Sequence, residues 1–206
     1  MKRSISFLAG VALILAMTSG LGAAAPKPKV VIEDPVSDAN FVNDQGLGDG
    51  TFGDVVTPAD VSSVLDMISV SLSNDAKNLY ITFETEAGPP ATQGTGYRFR
   101  ANPDGPGGTY CLTVEAFFPG GGNDLTESKA HVHDVCAGGD PVPAEVLGSM
   151  IVVPRSGLDA LGKGATLTAP QAQGFVYLGT YPTGLAGPTA DTTKPGTDYK
   201  LVDKKK

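Results

Sequence analysis

The sequence predicts an all-β protein, an antiparallel β-sandwich of jelly-roll-like type with one short helical turn. Short runs of alternating apolar and polar residues recur along the chain, as half-buried strands require. Among 206 residues, 27 glycines and 16 prolines punctuate those runs, a content that favours many turns over long helices.

The first element is not part of the fold. Lys2 and Arg3 precede an apolar run over 7–17 and a stretch of small residues over 20–25. This reads as an export signal over 1–24, cleaved after Ala24, and the apolar run is short for a bilayer span. Removing Lys2 and Arg3 takes the formal charge from -7 to -9. An acidic surface of this kind repels nucleic acid and anionic lipid, so neither is an expected partner. With no long apolar segment after the signal, the mature chain is expected to be secreted or held at the cell surface without a membrane span. Residues 25–181 have the length of one domain.

The domain opens on an acidic, glycine-rich stretch. Asp34, Asp38, Asn40, Asp44, Asp49 and Asp54 place many side-chain oxygens on a backbone unsuited to helix or strand. A hard cation that takes six to eight oxygens, calcium above all, would order such a loop, and its role would be structural. The spacing is not that of an EF-hand. An ordinary loop of Asx turns is the plain alternative. The run Gly48-Asp49-Gly50-Thr51-Phe52-Gly53 matches a dinucleotide fingerprint by letter, but it follows no strand, and Pro58 interrupts the helix that would receive a phosphate.

Residues 66–73 alternate with Ile68, Val70 and Leu72 on one face. A turn over 73–78 leads to 79–84, with Leu79, Ile81 and Phe83 inward, which makes the clearest hairpin in the chain. Residues 94–101 form a third strand in which Tyr97 and Phe99 alternate with Arg98 and Arg100. A turn cluster over 102–108 separates it from a strand over 109–118, which ends at 119–123. Further strand signals lie at 131–136, 149–153, Leu167 and 174–178, and 155–161 form the short helical turn. From about Tyr181 the chain is rich in Pro, Gly and Thr, so 182–206 reads as a flexible tail, although Tyr199 and Leu201 could dock one last extended segment. Residues 26–29 read as a spacer.

Cys111 and Cys136 are the only cysteines. In an exported chain the plain reading is one structural disulfide, which in the chain-entropy model stabilises by roughly 3 to 4 kcal/mol.

The opening Asp34-Pro35-x-x-Asp38, the run Val-Ser-Leu-Ser-Asn-Asp-Ala-Lys-Asn-Leu-Tyr-Ile-Thr-Phe over 70–83 and Val-Val-Pro-Arg-Ser-x-Leu over 152–158 occur in this order. Together they resemble the DOMON-like, family 9 carbohydrate-binding-module-like β-sandwiches of exported bacterial proteins, over roughly 30–180. The resemblance implies a calcium role for Asp34 and Asp38, with Asn40, Asp44, Asp49 and Asp54 as looser ligands. Members of that group include sugar-binding modules, haem-binding domains and exported domains without a known role. The sugar-binding members use aromatic platforms, often tryptophan, and this chain has none. Met67 and His131 could be named as haem ligands, but their spacing does not recommend them.

Two further constellations carry chemistry. His131 and His133, two apart on a strand, share a face and could share a transition metal, but no third histidine exists to complete a catalytic zinc site. Arg98 and Arg100 share another face, beside Tyr80 and Glu84 if those strands pair. With Tyr80 and Tyr97 they would form a ligand-binding patch, rings for stacking and guanidinium groups for hydroxyls or carboxylates. The reading is a non-catalytic, calcium-stabilised module that binds a glycan or another surface ligand, a protein included. A structural or assembly protein of the envelope, using its tails and an open sheet edge, is the alternative.

Overall fold

The computed structural model describes residues 27–35, 63–88, 94–104, 109–120, 123–136, 138, 140–162, 164–178, 180–181 and 185–202. They form twelve strands: β1 (Lys29–Glu33), β2 (Met67–Asn74), β3 (Asn78–Thr85), β4 (Thr95–Asp104), β5 (Thr109–Phe117), β6 (Lys129–Asp134), β7 (Val142–Leu147), β8 (Met150–Pro154), β9 (Thr166–Leu167), β10 (Gln171–Leu178), β11 (Leu185–Thr192) and β12 (Tyr199–Lys200). A 3-10 helix, Arg155–Leu161, follows β8, as the sequence predicts for 155–161.

Ten strands make one antiparallel sheet in the order β1-β2-β3-β8-β7-β6-β5-β4-β10-β11, and β12 pairs with β9 separately. The sheet curls so that its two halves face each other, which is the expected sandwich. β7 is the corner: its first residues pair with β6 and its last with β8. Val70, Leu72, Ile81, Phe83, Ile151 and Val153 of one half pack against Phe99, Leu112, Val114, Val132, Ala172 and Val176 of the other. The Phe83 and Tyr97 rings stack at 5.0 Å across this core.

The halves also meet at their open side. The Met67 amide donates to Asp191 Oδ2 at 2.7 Å. Gly174 lies against residue 65 so closely that a Cβ there would stand 2.6 Å from the Leu65 carbonyl oxygen.

The predicted hairpin is β2–β3, with Val70 opposite Phe83 and Leu72 opposite Ile81. A bulge between Met67 and Ser69 changes one assignment: Met67 is buried in place of Ile68. The extra residue of a bulge reverses the inside-outside alternation beyond it.

The end of the chain requires a larger correction. Residues 185–202, expected within a flexible tail apart from an extended segment that Tyr199 and Leu201 could dock, are built into the body, and that segment does dock. β11 pairs with β10, Tyr199 and Leu201 are buried, and Asn74 Oδ1 accepts from the Tyr199 hydroxyl (3.1 Å) and the Val202 amide (3.0 Å). Asn74 Nδ2 in turn donates to the Val202 carbonyl at 2.9 Å. Between β11 and β12 the chain crosses β1: the Thr197 amide donates to the Val31 carbonyl at 2.7 Å, and a Cβ on Gly196 would stand 2.0 Å from that oxygen. β1 itself occupies residues that include part of the expected spacer. Proline-rich sequence lowers helix and strand propensity, yet here it serves as an edge cover whose backbone groups are paired individually.

The signal segment 1–24 lies outside the described residues. Among the described residues no helix is long and apolar enough to cross a membrane.

Candidate functional site

The outer face of β10, β4, β5 and β6 carries two rows of polar side chains. Strand register sets both. Gln173, Arg98, Glu115 and His131 are successive cross-strand partners in one row, and Gln171, Arg100, Thr113 and His133 in the next. Tyr97, Phe99, Leu112, Val114 and Val132 alternate with them and point into the core.

The first row is a connected network. Arg98 donates through Nε to Glu115 Oε1 at 2.5 Å and through a terminal nitrogen to Gln173 Oε1 at 3.2 Å. The other Glu115 oxygen lies 3.2 Å from His131 Nε2. His131 Nδ1 lies 3.2 Å from the Tyr181 hydroxyl. Burial, the largest single influence, pushes the Glu115 carboxyl up. The His131 hydrogen bond and the Arg98 charge and hydrogen bond together outweigh it and hold the group down at about 2. Glu115 is therefore a fixed anion between two donors.

An aromatic cluster supports the row. Phe117, Phe175 and Tyr177 are buried on this outer side, with Leu125 and Tyr181 packed on them. Phe117 stacks on the His131 ring at 5.5 Å and meets Tyr181 edge-on at 5.4 Å. The Arg98 guanidinium carbon lies 4.9 Å from the Phe175 centroid. Phe175 reaches this position by lying over Gly96, where a Cβ would meet its ring at 2.3 Å. The Tyr181 amide donates to Asp124 Oδ1 at 3.1 Å, which ties this residue to the β5–β6 connection.

The predicted site residues divide. Arg98 and Arg100 do share one outward face. Tyr97 does not join them: it is 1% exposed, its hydroxyl donates to the Val64 carbonyl at 2.9 Å, and burial pushes its pKa up. Alternation along β4 puts it on the core side, so it is no ligand contact. Tyr80 is equally remote, because β3 pairs with β2 and β8 and never with β4. Its hydroxyl donates to Asp75 Oδ2 at 2.8 Å within the β2–β3 turn. Glu84 accepts from the Ser69 hydroxyl at 2.8 Å instead of pairing with an arginine.

Glu115, Gln173 and Tyr181, which the sequence reading did not single out, complete the row. The signal for Glu115 was available: Arg98 and Glu115 lie symmetrically about the 105–108 turn sequence. His131 and His133 do share a face, but both ring nitrogens of His131 are engaged by Glu115 and Tyr181. That leaves it no lone pair for a shared metal.

Cys111 and Cys136 form the expected disulfide, Cα–Cα 4.8 Å, at the end of β5 and β6 next to Thr113 and His133. Of the predicted calcium ligands, Asp34 is half-buried and its amide donates to the Ile68 carbonyl at 2.9 Å. Asp38, Asn40, Asp44, Asp49 and Asp54 lie outside the described residues. Among the described residues no group of three His, Cys, Asp or Glu side chains is placed to hold a metal.

Comparison with protein-family models, curated proteins and solved structures found no match.

Proposed function

We propose that this chain is an exported, non-catalytic binding module that presents the outer face of β4, β5, β6 and β10 to a glycan or another surface ligand. Calcium bound by the acidic stretch from Asp34 to Asp54 would be its structural ion. The observation that carries the reading is the Gln173–Arg98–Glu115–His131–Tyr181 row on its aromatic support. A merely solvated sheet face needs no such chain of partners, whereas fixed polar groups beside rings suit recognition. The two Glu115 oxygens and the two His131 nitrogens are engaged by one another and by neighbours, which holds these side chains in place. The resemblance to DOMON-like and family 9 carbohydrate-binding-module-like sandwiches points the same way.

The alternative, an envelope assembly protein acting through loose tails and an open edge, loses part of its basis. The C-terminal segment lies against β1 instead of trailing from it.

The test is a glycan array probed with the mature protein, with Arg100→Ala and Tyr80→Ala in parallel. Binding that Arg100→Ala weakens and Tyr80→Ala leaves unchanged is expected. Absence of binding to every glycan, with concentration-dependent self-association instead, would overturn the reading in favour of assembly.

A further inference from the structure

The two polar rows differ in one respect. In the first, Glu115 stands between the arginine and the histidine and contacts both. In the second, Thr113 stands where a carboxylate would be, between Arg100 and His133. Glu115 is the only carboxylate on β5. Among the described residues the side chain of neither Arg100 nor His133 makes a hydrogen bond or an ion pair, and both residues are half-buried. Arg98 cannot serve the second row, because Glu115 and Gln173 hold its guanidinium.

Resting on the binding-module reading above, we infer that Arg100, Thr113 and His133 form the seat for one oxyanion, a carboxylate or sulfate, of an acidic glycan. Arg100 and His133 stand on the two strands flanking β5, their backbones about 10 Å apart by the ordinary strand spacing. Thr113 between them is short, so two long side chains rise on either side of a low floor that bears a hydroxyl. A guanidinium fork matches the two oxygens of such a group, the threonine hydroxyl donates from below and the imidazole N–H closes the far side. The Tyr110 ring, 6.0 Å from the Arg100 guanidinium carbon, flanks the seat with an apolar surface for a sugar ring. The disulfide fixes the strand ends beside Thr113 and His133, so the spacing is set before a ligand arrives.

Electrostatics supports the assignment. Burial first, and the Arg98 charge second, lower the Arg100 pKa, with the Glu115 charge in the neighbouring row opposing them. An anion in the seat offsets that cost. The chain as a whole is acidic, at -7, so an acidic polymer gains nothing from its general field and must be held locally.

The experiment is calorimetric titration of the mature protein with polygalacturonate, dextran sulfate and neutral dextran at one ionic strength. Arg100→Gln, His133→Gln, Thr113→Val and the remote control Lys200→Gln are compared, each checked for its unfolding temperature. Saturable binding to an acidic polymer is expected, weakened about tenfold or more by Arg100→Gln and several-fold by His133→Gln and Thr113→Val, and unchanged by Lys200→Gln. Preference for polygalacturonate or for dextran sulfate assigns the group as carboxylate or sulfate. Should Arg100→Gln not fold, the other two site variants decide. Acidic-polymer binding indifferent to all the site variants, or binding to neutral dextran alone, overturns the seat and leaves the binding module standing. Binding to none of the three overturns the seat, and the glycan array then decides whether the module reading falls with it.

Discussion

His131 Nε2 lies 3.2 Å from Glu115 Oε2, on the strand next to it, and this contact joins the histidine of β6 to the arginine of β4 through one carboxylate. With 16% exposure for the Arg98 and Glu115 side chains and 13% for His131, the row is shielded enough for the Arg98–Glu115 charge pair to matter. Removing the middle member should therefore cost more than removing a surface charge. Glu115→Gln keeps the shape, leaves Arg98 without its anion and is expected to lower stability by about 2 kcal/mol in chemical denaturation.

The same carboxylate predicts a pH dependence. Its folded value of about 2 lies below the ordinary 4.5. A depressed acid stabilises the fold fully above its unfolded pKa and loses that contribution as pH falls through its folded one. Wild-type stability should thus decline between about pH 4.5 and 2, and the decline should be shallower in Glu115→Gln. Unfolding curves at pH 6, 4 and 3 for both proteins check this.

Asn74 predicts how firmly the C-terminal segment is held. Its side chain makes four hydrogen bonds, to the Tyr199 hydroxyl, to the Val202 amide and carbonyl and to the Asp75 carbonyl. Asn74→Ala is expected to cost about 2 kcal/mol and to open the backbone at Lys200 to trypsin, with the wild type expected to stay intact there. Limited proteolysis followed by mass spectrometry reads the outcome.

Tyr97 distinguishes a core residue from a ligand contact. Tyr97→Phe leaves the buried Val64 carbonyl without its donor and should cost about 1 to 2 kcal/mol, while ligand affinity of the folded variant stays unchanged. Denaturation and a binding titration on the same sample separate the two effects.

Calcium is the remaining expectation. The mature protein should melt about 5 °C or more higher in saturating calcium than in chelator, and the Asp34→Ala, Asp38→Ala double variant should lose that difference. Melting indifferent to calcium would reduce the acidic stretch to a loop of Asx turns.

Local alternation made most strands legible. Ile81 and Phe83, or Val70 and Leu72, declare their buried face within a few residues, and the β2–β3 turn is written in Asn74-Asp75-Ala76-Lys77-Asn78. Pairing between distant strands has no such local signature. Tyr80 and Arg98 alternate outward on strands that never meet, because β8 inserts beside β3 and β10 beside β4. The Arg98–Glu115 pair could have been found by folding the sequence symmetrically about the turn sequence at 105–108. Folding about 119–123 sets Glu115 opposite residue 127, whereas the strand register sets it opposite His131. Tyr181 could not be found this way either, since its position depends on Asp124 and on the packing of Phe117. The clasp of Gly196 and Thr197 on β1 was hidden for a related reason: its sequence carries turn residues, and only the tertiary partner makes it ordered.

The most direct test of the central claim is amide chemical-shift mapping of the mature protein as it is titrated with the glycan it binds best. The account predicts that the shifts concentrate on Arg98, Arg100, Thr113, His131, His133 and Tyr181. Shifts confined to the opposite half, β1, β2, β3 and β8, or to the acidic stretch after Asp34, would contradict it.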